Sequence, residues 1–171
     1  MRRSSILALA VLLLASCERE PPPEELAADA ERDIAMVEQA NNAAPPLREV
    51  TPEPIGFDDI EQHDISGVAC NYAPGTSLGT RAIAREVDAF VKVEGEVLRL
   101  AADTGSRELP SGSHSVYDGR QYSLRLDVAG DGEPAGEGQA AGVTNYEGTM
   151  SLRDSWGREV YRGTGLVQCG G

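Results

Sequence analysis

Alternation of period two dominates the second half of this sequence. In NYEGTMSLRD (145–154), Tyr146, Gly148, Met150 and Leu152 fall on one face. Asn145, Glu147, Thr149, Ser151 and Arg153 fall on the other. Successive side chains of a strand point to opposite sides, so the pattern describes a strand with one dry and one wet face. QYSLRLDV (121–128) repeats it, with Tyr122, Leu124, Leu126 and Val128 inward and Ser123, Arg125 and Asp127 outward. REVYRGTGLVQC (158–169) follows the first run at once, and the link DSWG (154–157) ends in the glycine that a short hairpin requires.

Further strands are expected upstream. SGVACNYA (66–73) reads as the first, and FVKVEGEVLRLA (90–101) as two strands joined at Glu94-Gly95. TRAIAREVDAFV (80–91) fits a helix with Ile83, Val87, Phe90 and Val91 on one side. It also fits a strand over 81–86, a turn at Val87-Asp88 and the start of the next strand. The strand-rich neighbourhood favours the second reading. AGDGEPAGEGQAAG (129–142) is the longest expected loop. Residues 57–171 are therefore expected to form one all-β domain: a small antiparallel barrel or sandwich of about seven or eight strands.

The N-terminus is of another kind. Arg2 and Arg3 precede an apolar run, Ile6 to Leu14. That run is too short to span a bilayer, which takes about 20 residues, and has the layout of a secretory signal. Leu14, Ala15, Ser16 and Cys17 resemble the lipobox of bacterial lipoproteins. The resemblance implies removal of residues 1–16 and acylation of the Cys17 thiol, which becomes the new N-terminus and a membrane anchor. Glu18, in place of aspartate, implies sorting to the outer membrane, facing the periplasm.

Residues 17–56 are expected to be an acidic, proline-rich tether. Glu18 to Glu53 holds ten acids and three bases, with PPPEE (21–25) and AAPPLREVTPEPI (43–55) to keep the chain extended. Within it, EELAADAERDIAMVEQANN (24–42) admits a marginal helix with acids in its first turns. A solvated spacer is the preferred reading, so the tether is expected to be disordered or partly helical.

With Cys17 assigned to the lipid, Cys70 and Cys169 remain as an even pair in the first and last strands. Outside the inner membrane such a pair is expected to form a disulfide, which makes those strands neighbours. Two histidines in the whole chain leave little for a thiolate metal site, so no metal and no cofactor are expected.

The formal net charge is −13, Lys92 is the only lysine, and aromatic residues make up 5%. Such a chain has neither a basic patch for a phosphate backbone nor many rings for stacking bases, so nucleic acid is not an expected partner. From residue 58 onward there are 18 acids and 10 bases, a balance that steers towards a basic partner.

Three stretches carry the outline of chemistry. GTSLG (75–79) has the spacing of a hydrolase nucleophile elbow, with Ser77 as nucleophile and Asp103 and His114 downstream. The domain is too small, and too poor in parallel-strand pattern, for the fold that uses that elbow. AADTGS (101–106) offers Asp103 in the aspartic-protease pattern, but that chemistry needs a second carboxylate sharing one proton. DVAGDGE (127–133) offers Asp127, Asp131 and Glu133 to calcium, without the ordered spacing of a calcium loop. His63 and His114 read as surface or capping residues.

SGSHSVY (111–117) resembles the serine-glycine loop of the periplasmic C-type lysozyme inhibitors, which are small lipid-anchored β-barrels with a disulfide. The resemblance implies that Ser111 and Ser113 enter an enzyme cleft, although the lysine that accompanies them in that family has no counterpart after His114. CNYA and GLVQCG also resemble the ends of small bacterial lipoprotein domains. The expected function is a non-enzymatic, lipid-anchored envelope protein that binds or supports another envelope protein. The alternatives are an inhibitor of a cationic enzyme such as lysozyme, and a small hydrolase using Ser77 or Asp103.

Overall fold

A computed structural model describes residues 22–77, 79–134, 136–137 and 141–171. Residues 1–16 and Cys17 lie outside the described residues. The chain divides into two units, one ending at Ala44 and one spanning Pro45–Gly171.

In the first unit, helix α1 runs from Pro23 to Asn42. Of the two readings open for this segment, the helix is the one observed. Pro23 occupies its first turn, where a missing N–H costs nothing, and Glu24 and Glu25 face the positive end of the dipole. No residue of α1 is buried.

The second unit is a closed antiparallel barrel of eight strands. They are β1 (Ala69–Pro74), β2 (Ala82–Ala84), β3 (Asp88–Val93), β4 (Glu96–Ala102), β5 (Val116–Asp118), β6 (Tyr122–Pro134), β7 (Thr144–Asp154) and β8 (Glu159–Gly170). Each strand pairs with the next, and β8 returns to β1 over Ala69↔Gly170 to Pro74↔Gly165. The choice between sandwich and barrel is thus settled by one seam. Closure leaves no open edge, which suits strands as short as β2 and β5.

The expected strands stand at their expected places. The 80–91 segment is strand β2, a bend at Glu86-Val87, and the start of β3. Glu94 and Gly95 both adopt left-handed backbone, φ 52° and 80°, and close the two-residue β3–β4 hairpin. One expectation is corrected. Segment 129–142 is not all loop: β6 continues to Pro134, with a register irregularity between Ala129 and Glu133. Gly130 and Gly132, at φ 74° and 71°, bend the strand there, as a bulge does.

Side chains fill the barrel. Tyr72, Val91, Leu100, Tyr117, Leu124, Leu126, Met150, Leu152 and Val167 form its fully buried interior. Glycines on β7 and β8 make room for them. A Cβ at Gly148 would strike Val167, and one at Gly165 would fall on the carbonyl oxygen of Ala73.

The tether boundary is also corrected, because the barrel unit begins at Pro45 rather than Phe57. Residues 45–66 form a strap. Val50 N–H donates to Val160 O (3.0 Å), Glu53 N–H to Lys92 O (2.8 Å) and Ile55 N–H to Thr80 O (2.8 Å). The strap thus runs from β8 to β3 and leads into helix α2 (Phe57–Gln62). Proline, read as a sign of solvated tether, here holds extended chain against a sheet; Pro52 is fully buried. Ile55 and Ile65 cover Ile83 and Phe90 on the outer side of β2 and β3, forming a second small core. That is why β3 is buried on both faces. The Lys92 ammonium binds the Asp59 carboxylate of α2 at 2.8 and 2.9 Å.

Candidate functional site

Neighbouring strands run in opposite directions, so successive connections alternate between the two ends of the barrel. The β1–β2 loop carries Ser77, and the β4–β5 loop carries Asp103 and His114. Those loops lie at opposite ends. Ser77 is therefore not joined to Asp103 or His114 in a catalytic set. Each serves its own turn: Ser77 Oγ accepts from Gly79 N–H (3.1 Å), and Asp103 Oδ1 accepts from Gly105 N–H (2.9 Å). His63 caps the end of α2 and donates its N–H to Asp59 O. His114 pairs with Glu108 in an isolated bridge and donates its N–H to the Tyr117 hydroxyl (2.7 Å).

The β4–β5 loop plugs its end of the barrel. Leu109 is buried there, followed by a single 3₁₀ turn, Pro110–Gly112. Cys70 and Cys169 form a disulfide directly across the β1–β8 pair. Ser113 Oγ donates to Pro110 O (2.9 Å) and lies 3.2 Å from Cys70 Sγ. Ser113 is fully buried, so the implied pair of cleft-entering serines is reduced to one. Ser111 is exposed and holds φ 63°, an uncommon conformation for a residue with a Cβ.

Beside the plug, Asp88 is the one fully buried acid among the described residues. Its carboxylate accepts two hydrogen bonds from Arg85 (2.7 and 2.9 Å) and one from Arg99 (2.7 Å). Burial pushes this carboxyl up, but the two guanidiniums outweigh it and hold the group below the ordinary carboxylate range. Arg85 also stacks over the Phe90 ring at 5.0 Å, and its backbone oxygen accepts from the Tyr117 hydroxyl (2.7 Å). The cluster joins the β2–β3 bend to β4 and β5, and its one carboxylate is fully occupied by the two guanidiniums.

The concave surface lies on the outer side of β6, β7 and β8. Leu124, Leu126, Met150 and Leu152 point inward, so the intervening positions point outward. Register places Asp127 beside Thr149 and Thr149 beside Thr164 in one outer row. Ala129, Glu147 and Leu166 form the next. The bend at Gly130 and Gly132 curls this face into an open groove of about 1110 Å³. That is at the upper edge of small-ligand pockets and suits a segment of chain.

Every charged side chain lining the groove is acidic: Asp127, Asp131, Glu133 and Glu147. Asp127 is neutralised by Arg125 (2.8 Å) and Arg107 (3.3 Å). Asp131, Glu133 and Glu147 are exposed and have no ion pair among the described residues. The three acids first considered for calcium thus do different things, and no metal-holding cluster occurs among the described residues. The groove was not legible in the sequence. Its one signal was the pair of glycines within an otherwise alternating strand.

Compared with protein-family models, curated proteins and solved structures, the chain matches none.

Proposed function

We propose that this chain is a non-enzymatic, lipid-anchored protein of the bacterial cell envelope, tethered through Cys17 on the periplasmic side of the outer membrane. Its barrel binds an envelope partner. The observation that carries the reading is the acidic groove on the outer face of β6–β8, beside a barrel interior occupied by its own side chains. Unpaired Asp131, Glu133 and Glu147 favour a partner that presents arginine or lysine.

The test is a pull-down from envelopes with the lipidated protein and with a Glu147→Arg, Asp131→Arg variant. Capture of a basic partner by the first and not the second supports the reading. Equal capture by both removes the groove from it. Globomycin tests the anchor: precursor that does not accumulate, together with no uptake of labelled palmitate, sinks the lipoprotein assignment. Turnover of any substrate that is lost in Ser77→Ala or Asp103→Asn makes the chain a hydrolase instead.

A second reading, inhibition of a cationic enzyme such as lysozyme, is favoured by exposed Ser111 at φ 63° on the plug loop. Strained conformations of this kind gather at binding loops. Absence of lysozyme inhibition by micromolar Cys17→Ser protein excludes it.

A further inference from the structure

The β7–β8 turn holds the only tryptophan of the sequence outward. Asp154 organises that turn. Its Oδ1 accepts from the N–H groups of Trp156 (2.9 Å) and Arg158 (2.9 Å), and its Oδ2 accepts from Arg158 Nε (2.8 Å). Gly157, at φ 75°, completes it and donates to Asp154 O (2.9 Å). A turn held this firmly leaves Trp156 47% exposed.

The same Arg158 reaches further. Its Nη1 donates to Pro45 O (2.6 Å), at the residue where the barrel unit begins. Two residues on, Leu47 is 53% exposed. One arginine therefore ties the tryptophan turn to the point where the tether enters the barrel. Two of the cations near this end already have partners, Arg158 in Asp154 and Arg48 in Glu94.

An indole has an apolar body and a polar N–H, the combination that settles at a membrane–water interface. With Cys17 acylated, 28 positions separate the lipid from Pro45. The tether then keeps the Pro45 end at high effective concentration beside the bilayer, so even weak partitioning takes effect.

We propose that this end of the barrel rests on the bilayer, with Trp156 and Leu47 entering the headgroup region. The inference depends on the lipoprotein reading above. It leaves the β6–β8 groove free for the partner.

Because Trp156 is the only indole, its fluorescence reports this site alone. The experiment uses the full lipidated protein in phosphatidylcholine vesicles containing increasing bromine-labelled phosphatidylcholine. The expected result is emission at shorter wavelength than for the Cys17→Ser chain in buffer, with progressive loss of intensity as bromolipid rises. Leu47→Ser should weaken that quenching. Water-like, unquenched emission from protein that floats with the vesicles overturns the proposal while leaving the anchor intact. Protein that carries no acyl chain overturns both.

Discussion

Cys70 and Cys169 face each other across β1 and β8, so the only disulfide among the described residues lies on the seam that closes the barrel. Their separation is 99 residues. Chain-entropy accounting gives such a loop up to about 4.7 kcal/mol, and native bridges commonly contribute about 2–4 kcal/mol. Urea unfolding of the Cys70→Ser, Cys169→Ser double variant should show a loss in that range. A midpoint equal to that of the native protein would mean the seam holds without the bond.

Asp88 is buried between Arg85 and Arg99. Asp88→Ala leaves those guanidiniums without their acceptor and should cost about 3 kcal/mol. The pH dependence follows from the depressed carboxyls. Asp88 is held low by its arginines against the opposing effect of burial. Asp59 is held low first by Lys92 and then by the Gly56 N–H. A folded value below the unfolded one means fewer bound protons in the native state. Stability is thus complete above the ordinary aspartate value of about 3.9 and falls as pH drops through the depressed values. Urea midpoints measured between neutral pH and pH ~3 should decline most steeply at the acid end. Asp88→Asn should flatten that decline, and an unchanged slope would assign it to other groups.

Ile55 closes the second core over Ile83 and Phe90. Ile55→Ala should destabilise the barrel by about 2–4 kcal/mol, the usual cost of truncating a buried isoleucine. Limited proteolysis of the variant should cut first within 45–66. A variant as stable and as resistant as the native protein would show that the strap is dispensable.

Gly165 sits where a Cβ would meet the Ala73 carbonyl oxygen and the Pro74 backbone. Neither can rotate away, because both belong to the paired strand β1. Gly165→Ala should cost about 3 kcal/mol or more through forced separation of β1 from β8. Gly136→Ala, where nothing stands within 4 Å, should be nearly neutral. Equal melting temperatures for the two variants would contradict a packed seam.

Much of the barrel was legible because strands announce themselves locally. Alternation at Leu124, Leu126, Met150 and Leu152 marked the inner face, and Glu94-Gly95 marked its hairpin. The cysteine pair marked neighbouring terminal strands, since two thiols must meet to bond. The strap was missed because proline enforces extended chain equally well in solvent and against a sheet. Only burial of Pro52 and Ile55 tells the two apart. The groove was missed because curvature accumulates over three strands and cannot be read from one.

By itself, then, the sequence determined most of the strand segments, their dry faces and the turn at Glu94-Gly95, though not the extension of β6 to Pro134. These follow from side-chain period and from glycine, both properties of a few adjacent residues. Tertiary structure alone decided that eight strands close rather than stack, and that 45–66 lies on the barrel. It also decided that Ser113 is sealed while Ser111 is presented, and that Asp131, Glu133 and Glu147 share one face. Each of these joins residues far apart in the chain, and such contacts form only once the intervening strands have found their register.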